Sequence, residues 1–112
     1  MQIISNNFGD TQVVSVEENR IDAAVVIAFK DRMRALTDGD TTHVILDLSR
    51  VNFIDSSGLG AIVAAMKQLG RGRVMHLAGL QPNVDKVFRL TRMDTIFRIH
   101  DSVDQALAAA TG

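Results

Sequence analysis

An α/β fold is the class this sequence predicts: a single domain with a mixed, mostly parallel sheet, an N-terminal β-hairpin and about four helices. Three observations predict it. Short apolar runs alternate with longer segments of helical periodicity in the order β-β-α-β-α-β-α-β-α, which implies parallel strands joined by right-handed crossovers. The first two strand candidates are separated only by a turn, so they pair as a hairpin and make the sheet mixed. The chain has 112 residues, 46% of them hydrophobic and one a proline, enough for one core and too few for two. No internal repeat, low-complexity tract or linker divides residues 1–112.

Each element has its own warrant. Gln2–Asn6 and Thr11–Glu17 read as the hairpin strands around Asn7-Phe8-Gly9-Asp10, a turn longer than the two-residue kind. After the polar break at Glu17–Arg20, Ala23–Leu36 reads as a helix. Val25, Phe29, Met33 and Leu36 share a stripe opposite Lys30, Asp31 and Arg34, and Asp22 is placed to be the N-cap. The β-branched run Val25-Val26-Ile27 suits a strand equally well, and the charged second half decides for helix. Thr37–Thr42 is a loop. His43–Leu48 is a continuous apolar run, the mark of a strand covered on both faces.

Val51–Ile54 then leads into Asp55-Ser56-Ser57-Gly58 and a helix that stacks Leu59, Ile62, Val63, Met66 and Leu69 on its buried side and stops at Gly70. Val74–Ala78 is the next strand. Pro82 opens a third helix with Val84, Val87 and Phe88 on its apolar side and Asp85 set to pair with Arg89. Thr95–Ile99 is the last strand, and Ser102-x-x-Gln105 is a capping box for a final helix over Val103–Ala110.

Composition excludes several functions. The net charge is −1 and the pI about 6.2, which argues against a protein that tracks a nucleic-acid backbone. There is no cysteine, so disulfides, thiolate chemistry and cysteine zinc sites are ruled out. Aromatic residues are 4% and all Phe, leaving Val, Ile, Leu, Ala and Met to build the core. The N-terminus lacks a signal peptide's basic and long apolar regions, and no apolar run approaches ~18 residues, so the expectation is a soluble cytoplasmic protein. His43, His76 and His100 are far apart with no ligand spacing, so no metal or cofactor is expected. The serines lie outside a Gly-x-Ser-x-Gly elbow, and Gly58-Leu59-Gly60 is too short for a dinucleotide loop. The chain is not read as an enzyme.

What remains is the helix mouth. A strand delivers a carboxylate, Asp55, and two hydroxyls, Ser56 and Ser57, to a helix N-terminus, where free N–H groups and the macrodipole favour negative charge. Gly58 and Gly60 keep the first turn free of bulk, so another protein's surface could approach. The residues alone fit two readings: an N-cap with glycines serving a tight turn, or a hydroxyl presented for modification.

At these residues the chain resembles STAS domains, specifically the small bacterial anti-sigma factor antagonists. The likeness is carried by Asp47-Leu48 and Phe53-Ile54-Asp55-Ser56-Ser57-Gly58-Leu59-Gly60, by Arg20-Ile21-Asp22 before the first helix, and by Leu80–Val84 with Val87–Thr91 around the third. The resemblance implies a partner switch. The unphosphorylated antagonist binds an anti-sigma factor that is also a serine kinase, phosphorylation ends binding, and a metal-dependent phosphatase restores it. Carried over, Ser57 is the phosphorylated residue. Asp22 and Asp55 are the carboxylates beside it, and Ser56, Gly58, Leu59 and Gly60 complete the partner-binding face. Another member of the same family, a constitutive STAS subunit of a membrane transport or lipid-trafficking complex, is the alternative. Neither direct nucleic-acid binding nor membrane insertion is expected, and the sequence does not fix the oligomeric state.

Overall fold

A computed structural model describes residues 1–111. Its elements are β1 (Ile3–Phe8), β2 (Thr11–Val16), β3 (Arg20–Ile21), α1 (Val26–Leu36), β4 (His43–Asp47), β5 (Phe53–Ile54), α2 (Ser56–Leu69), β6 (Val74–Ala78), α3 (Pro82–Leu90), a 3-10 turn (Met93–Thr95), β7 (Arg98–His100) and α4 (Val103–Thr111). The main sheet has the order β1-β2-β4-β6-β7. Only β1 runs antiparallel to its neighbour, so the sheet is mixed and mostly parallel as expected.

The central strand explains its own sequence. Val44 and Leu46 point into the main core beneath α1, α2 and α3, while Ile45 points the other way, into a smaller cluster with Val13, Ala78 and Ala106 under α4. A strand buried on both faces has no polar side to alternate with. On the main-core side, Phe29 and Met33 of α1 are buried beneath α2, whose inner stripe is Gly58, Ala61, Ile62, Ala65 and Leu69. The expected Leu59, Val63 and Met66 are only partly buried at its margin. Small residues hold the centre because they let the two helices approach. Phe88 of α3 closes one end of this core, edge-on to Phe97 with centroids 5.9 Å apart.

Four boundaries differ from the sequence reading. The hairpin turn is the two-residue kind, with Phe8 opposite Thr11 and Gly9 in the left-handed region at φ 62°. The first helix starts at Val26 and not Ala23. Asp22 accepts from the Ala24 amide (3.1 Å) and its carbonyl from the Val25 amide (3.0 Å), so residues 22–25 close a turn and Asp22 is not the helix N-cap. Two further strands, β3 and β5, pair in parallel as a separate ribbon, Arg20 opposite Phe53 and Ile21 opposite Ile54. The last strand lies later than Thr95–Ile99, because the chain first takes a 3-10 turn after Arg92, itself left-handed at φ 62°.

Candidate functional site

The β3–β5 ribbon builds the site. One step beyond its last paired residues the chain carries Asp22 on one strand and Asp55 on the other, so the two acids follow the same register on neighbouring strands. The repeated dipeptide Ile-Asp at both places was the only signal of this pairing in the sequence.

Asp55 is the N-cap of α2: its Oδ1 accepts from the Gly58 amide at 2.8 Å. Its other oxygen, Oδ2, accepts from the Ala23 amide at 3.1 Å, and its own amide donates to the Ile21 carbonyl at 3.4 Å. One side chain thus caps the helix and ties the segment before α1 to it. The Gly58 amide bond, and then the Ala23 bond, hold the Asp55 carboxyl below the usual carboxylate range against the opposing cost of desolvation. Asp22 is engaged as well, Oδ1 with Ala24 and Oδ2 with Arg20 Nε at 2.9 Å; the Arg20 guanidinium lies 4.9 Å from the centre of the Phe53 ring. Asp55 directly precedes the serines, and the oxygens of both acids are spent on internal hydrogen bonds.

Ser56 and Ser57 occupy the first two positions of α2 and are exposed, and neither hydroxyl hydrogen-bonds within the described residues. Because Asp55 supplies the cap, the serines are not needed for it. Gly58 is different from what the sequence suggested. It is buried, and a Cβ there would lie 2.0 Å from the Ile21 carbonyl oxygen, so its lack of a side chain serves the contact between α2 and β3 and not an outside surface. Gly60 is exposed with open space around it, and Leu59 packs partly into the core. Facing solvent on the segment that Asp55 holds are Ala23 and Ala24; Ile27, one turn further on, is 73% exposed. The sequence reading puts Ala23 and Ala24 inside the first helix, whereas they lie in the turn before it.

The chain is thus an α/β domain with a mixed five-stranded sheet and, beside it, a short ribbon whose strand β5 presents a free hydroxyl pair where it enters α2. The chain belongs to the STAS domain family, whose model matches residues 6–106. Among curated relatives it is similar to BtrV of Bordetella bronchiseptica, a protein named as an anti-sigma factor antagonist, at 28% identity over 102 residues, 89% of this chain and 87% of that one. Among solved structures, an anti-sigma factor antagonist from Mycobacterium paratuberculosis superposes with a TM-score of 0.89 at 25% identity, covering 99% of this chain and 94% of that one. The unphosphorylated form of the antagonist SpoIIAA superposes at 0.73 with 21% identity over 99% of both chains, and its phosphorylated Bacillus form at 0.71 with 20% identity over 97% and 99%; at that identity the likeness shows the fold alone. Among the described residues no helix is long and apolar enough to cross a membrane.

Proposed function

We propose that this protein is an anti-sigma factor antagonist that works as a phosphorylation-controlled partner switch, with Ser57 as the residue modified. The observation that carries the reading is the free, exposed Ser57 hydroxyl beside a cap that Asp55 already fills. The names of its relatives support the class of partner, an anti-sigma factor; its serine kinase activity, and a metal-dependent phosphatase that reverses the modification, belong to the proposal. The partner docks over Ser56, Ser57 and Gly60 and over the apolar shelf of Ala23, Ala24 and Ile27, with Asp22 and Asp55 setting the shape of that surface. The protein acts by binding and not by catalysis.

The switch is electrostatic and steric. A phosphate adds about −1.5 to −2 charge at neutral pH. At the N-terminus of α2 the helix dipole tolerates it, so the fold persists. A partner surface fitted to a hydroxyl must desolvate that charge, next to two carboxylates, and binding is lost.

The test is a pull-down and binding titration with the cognate anti-sigma factor, using wild type, Ser57→Ala and Ser57→Asp. Ser57→Ala should bind and accept no phosphate from kinase and ATP. Ser57→Asp should bind more than about tenfold more weakly, equivalent to about 1.4 kcal/mol, with an unchanged thermal melt. Phosphate found by mass spectrometry on Ser56 of the wild type, or full binding by Ser57→Asp, would refute the assignment.

A further inference from the structure

The face of the sheet opposite that site carries a cluster the switch does not use. His43 of β4, His76 of β6 and His100 of β7 lie on a diagonal across three parallel strands: His76 is opposite Ile45, two residues past His43, and His100 is opposite Ala78, two past His76. His43 Nδ1 is 3.0 Å from His76 Nε2, and His76 Nδ1 is 3.0 Å from His100 Nε2. His76 is fully buried and the outer two are half-buried. Each nitrogen of His76 faces a different ring, so no single point touches all three, and among the described residues no group of three or more ligands is arranged for a metal. The cluster is a hydrogen-bonded row.

Counting protons limits what such a row can hold. A neutral imidazole has one N–H and one lone pair, so His76 donates to one neighbour and accepts from the other, in either direction. One added proton fits: on His43 it makes that ring the donor and fixes one direction, on His100 it fixes the reverse. A second does not. With both outer rings charged, each would donate to His76, which has a single lone pair. One 3.0 Å contact then becomes two opposed N–H groups.

Among the described residues no other group relieves the conflict. On the same face β4 offers Asp47, already bonded to Ser15 (3.2 Å) and the Ser49 amide (3.0 Å); β2 offers Thr11, Val13 and Ser15, none titratable. Arg98, paired in register with His76, adds repulsion, and α4 contributes only the exposed Asp104. Asp10 lies near His43, while Asp101, Asp85 and Arg89 share a surface pocket with His100. None of these carboxylates forms an ion pair with the rings among the described residues. Burial first, then the neighbouring rings and Arg98, pushes His76 down to about 4.

We propose that the row holds at most one added proton and that a second, taken up in mild acid, loosens β7 and α4 from the sheet. The weak end yields because β7 is a three-residue edge strand, whereas β4 is central. The helix that follows it is held by the small cluster of Val13, Ile45, Ala78 and Ala106 with Val103 and Leu107. The main core, on the other face, is not involved.

The test compares imidazole NMR titration and amide hydrogen exchange, corrected for intrinsic rates, at about pH 7.5 and about pH 5.5, on either side of the ordinary histidine pKa. Wild type should lose roughly tenfold more protection across β7 and α4 than across β1 and β2, the effect of one pKa unit beyond any global loss. His43→Gln and His100→Gln each leave a row of two rings that accepts one proton without conflict, so in both β7 and α4 should lose no more protection at the lower pH than β1 and β2 do. Two results would overturn the proposal: native rings that take up two or more protons with β7–α4 protection intact, or variants that loosen as much as wild type.

Discussion

Asp55 is the residue on which the site's geometry turns, because its two oxygens serve two elements. Oδ1 caps α2 and Oδ2 holds the Ala23 amide. Asp55→Ala removes both and should lower stability by about 1–2 kcal/mol, the cost of a lost N-cap. Asp55→Asn separates the two roles. Asparagine caps as well as aspartate, but its NH2 group cannot accept from Ala23. That variant should melt near wild type while binding the partner more weakly, since the shelf before α1 is no longer fixed. Wild-type binding by that variant would mean that the cap alone matters. Asp22→Ala, by contrast, removes a turn contact and an exposed pair with Arg20. Urea unfolding should show it costing less than about 1 kcal/mol.

At the scale of elements, α2 seats against β3 through a glycine and shows its neighbour glycine to solvent. Gly58→Ala forces a Cβ onto the Ile21 backbone, which cannot swing aside as a side chain would. It should cost about 1–3 kcal/mol or more, the range of overpacked cores. Gly60→Ala meets nothing within 4 Å and replaces a helix-interior glycine, so it should gain about 0.5–1 kcal/mol. Paired denaturant melts check both, and similar values would contradict the seating. The elements were legible wherever burial imposes a period. His43–Leu48 read as a doubly covered strand because Val44, Ile45 and Leu46 are buried on both faces. Asp22 misled because an aspartate that closes a turn looks the same in sequence as one that caps a helix. The β3–β5 ribbon was hidden because two residues are too few for a period. The serine mouth could be read because cap, hydroxyls and glycines are consecutive. The histidine row could not, because it depends on the register of three strands separated by whole helices.

For the molecule as a whole, the fully buried His76 makes stability depend on pH in a defined window. Its pKa in the fold is about 4, against 6.5 for the ordinary group. Below pH 6.5 the unfolded chain therefore binds a proton that the folded chain does not. The folded state has its full advantage above that value, loses it as pH falls toward 4, and loses no more from this group below it. The difference in pKa corresponds to about 3 kcal/mol, a large share of the roughly 5–15 kcal/mol that holds a domain together. Acid unfolding of the carboxylate kind belongs lower, since the depressed Asp55 is still charged where His76 has already acted. Urea melts across this range should show the midpoint falling steadily from near neutrality in wild type. His76→Gln keeps a donor and an acceptor but cannot charge, so it should start lower and fall with a shallower slope. A variant whose slope matches wild type would place the pH dependence elsewhere, and a wild type flat down to the carboxylate range would mean that the buried ring is protonated within the fold.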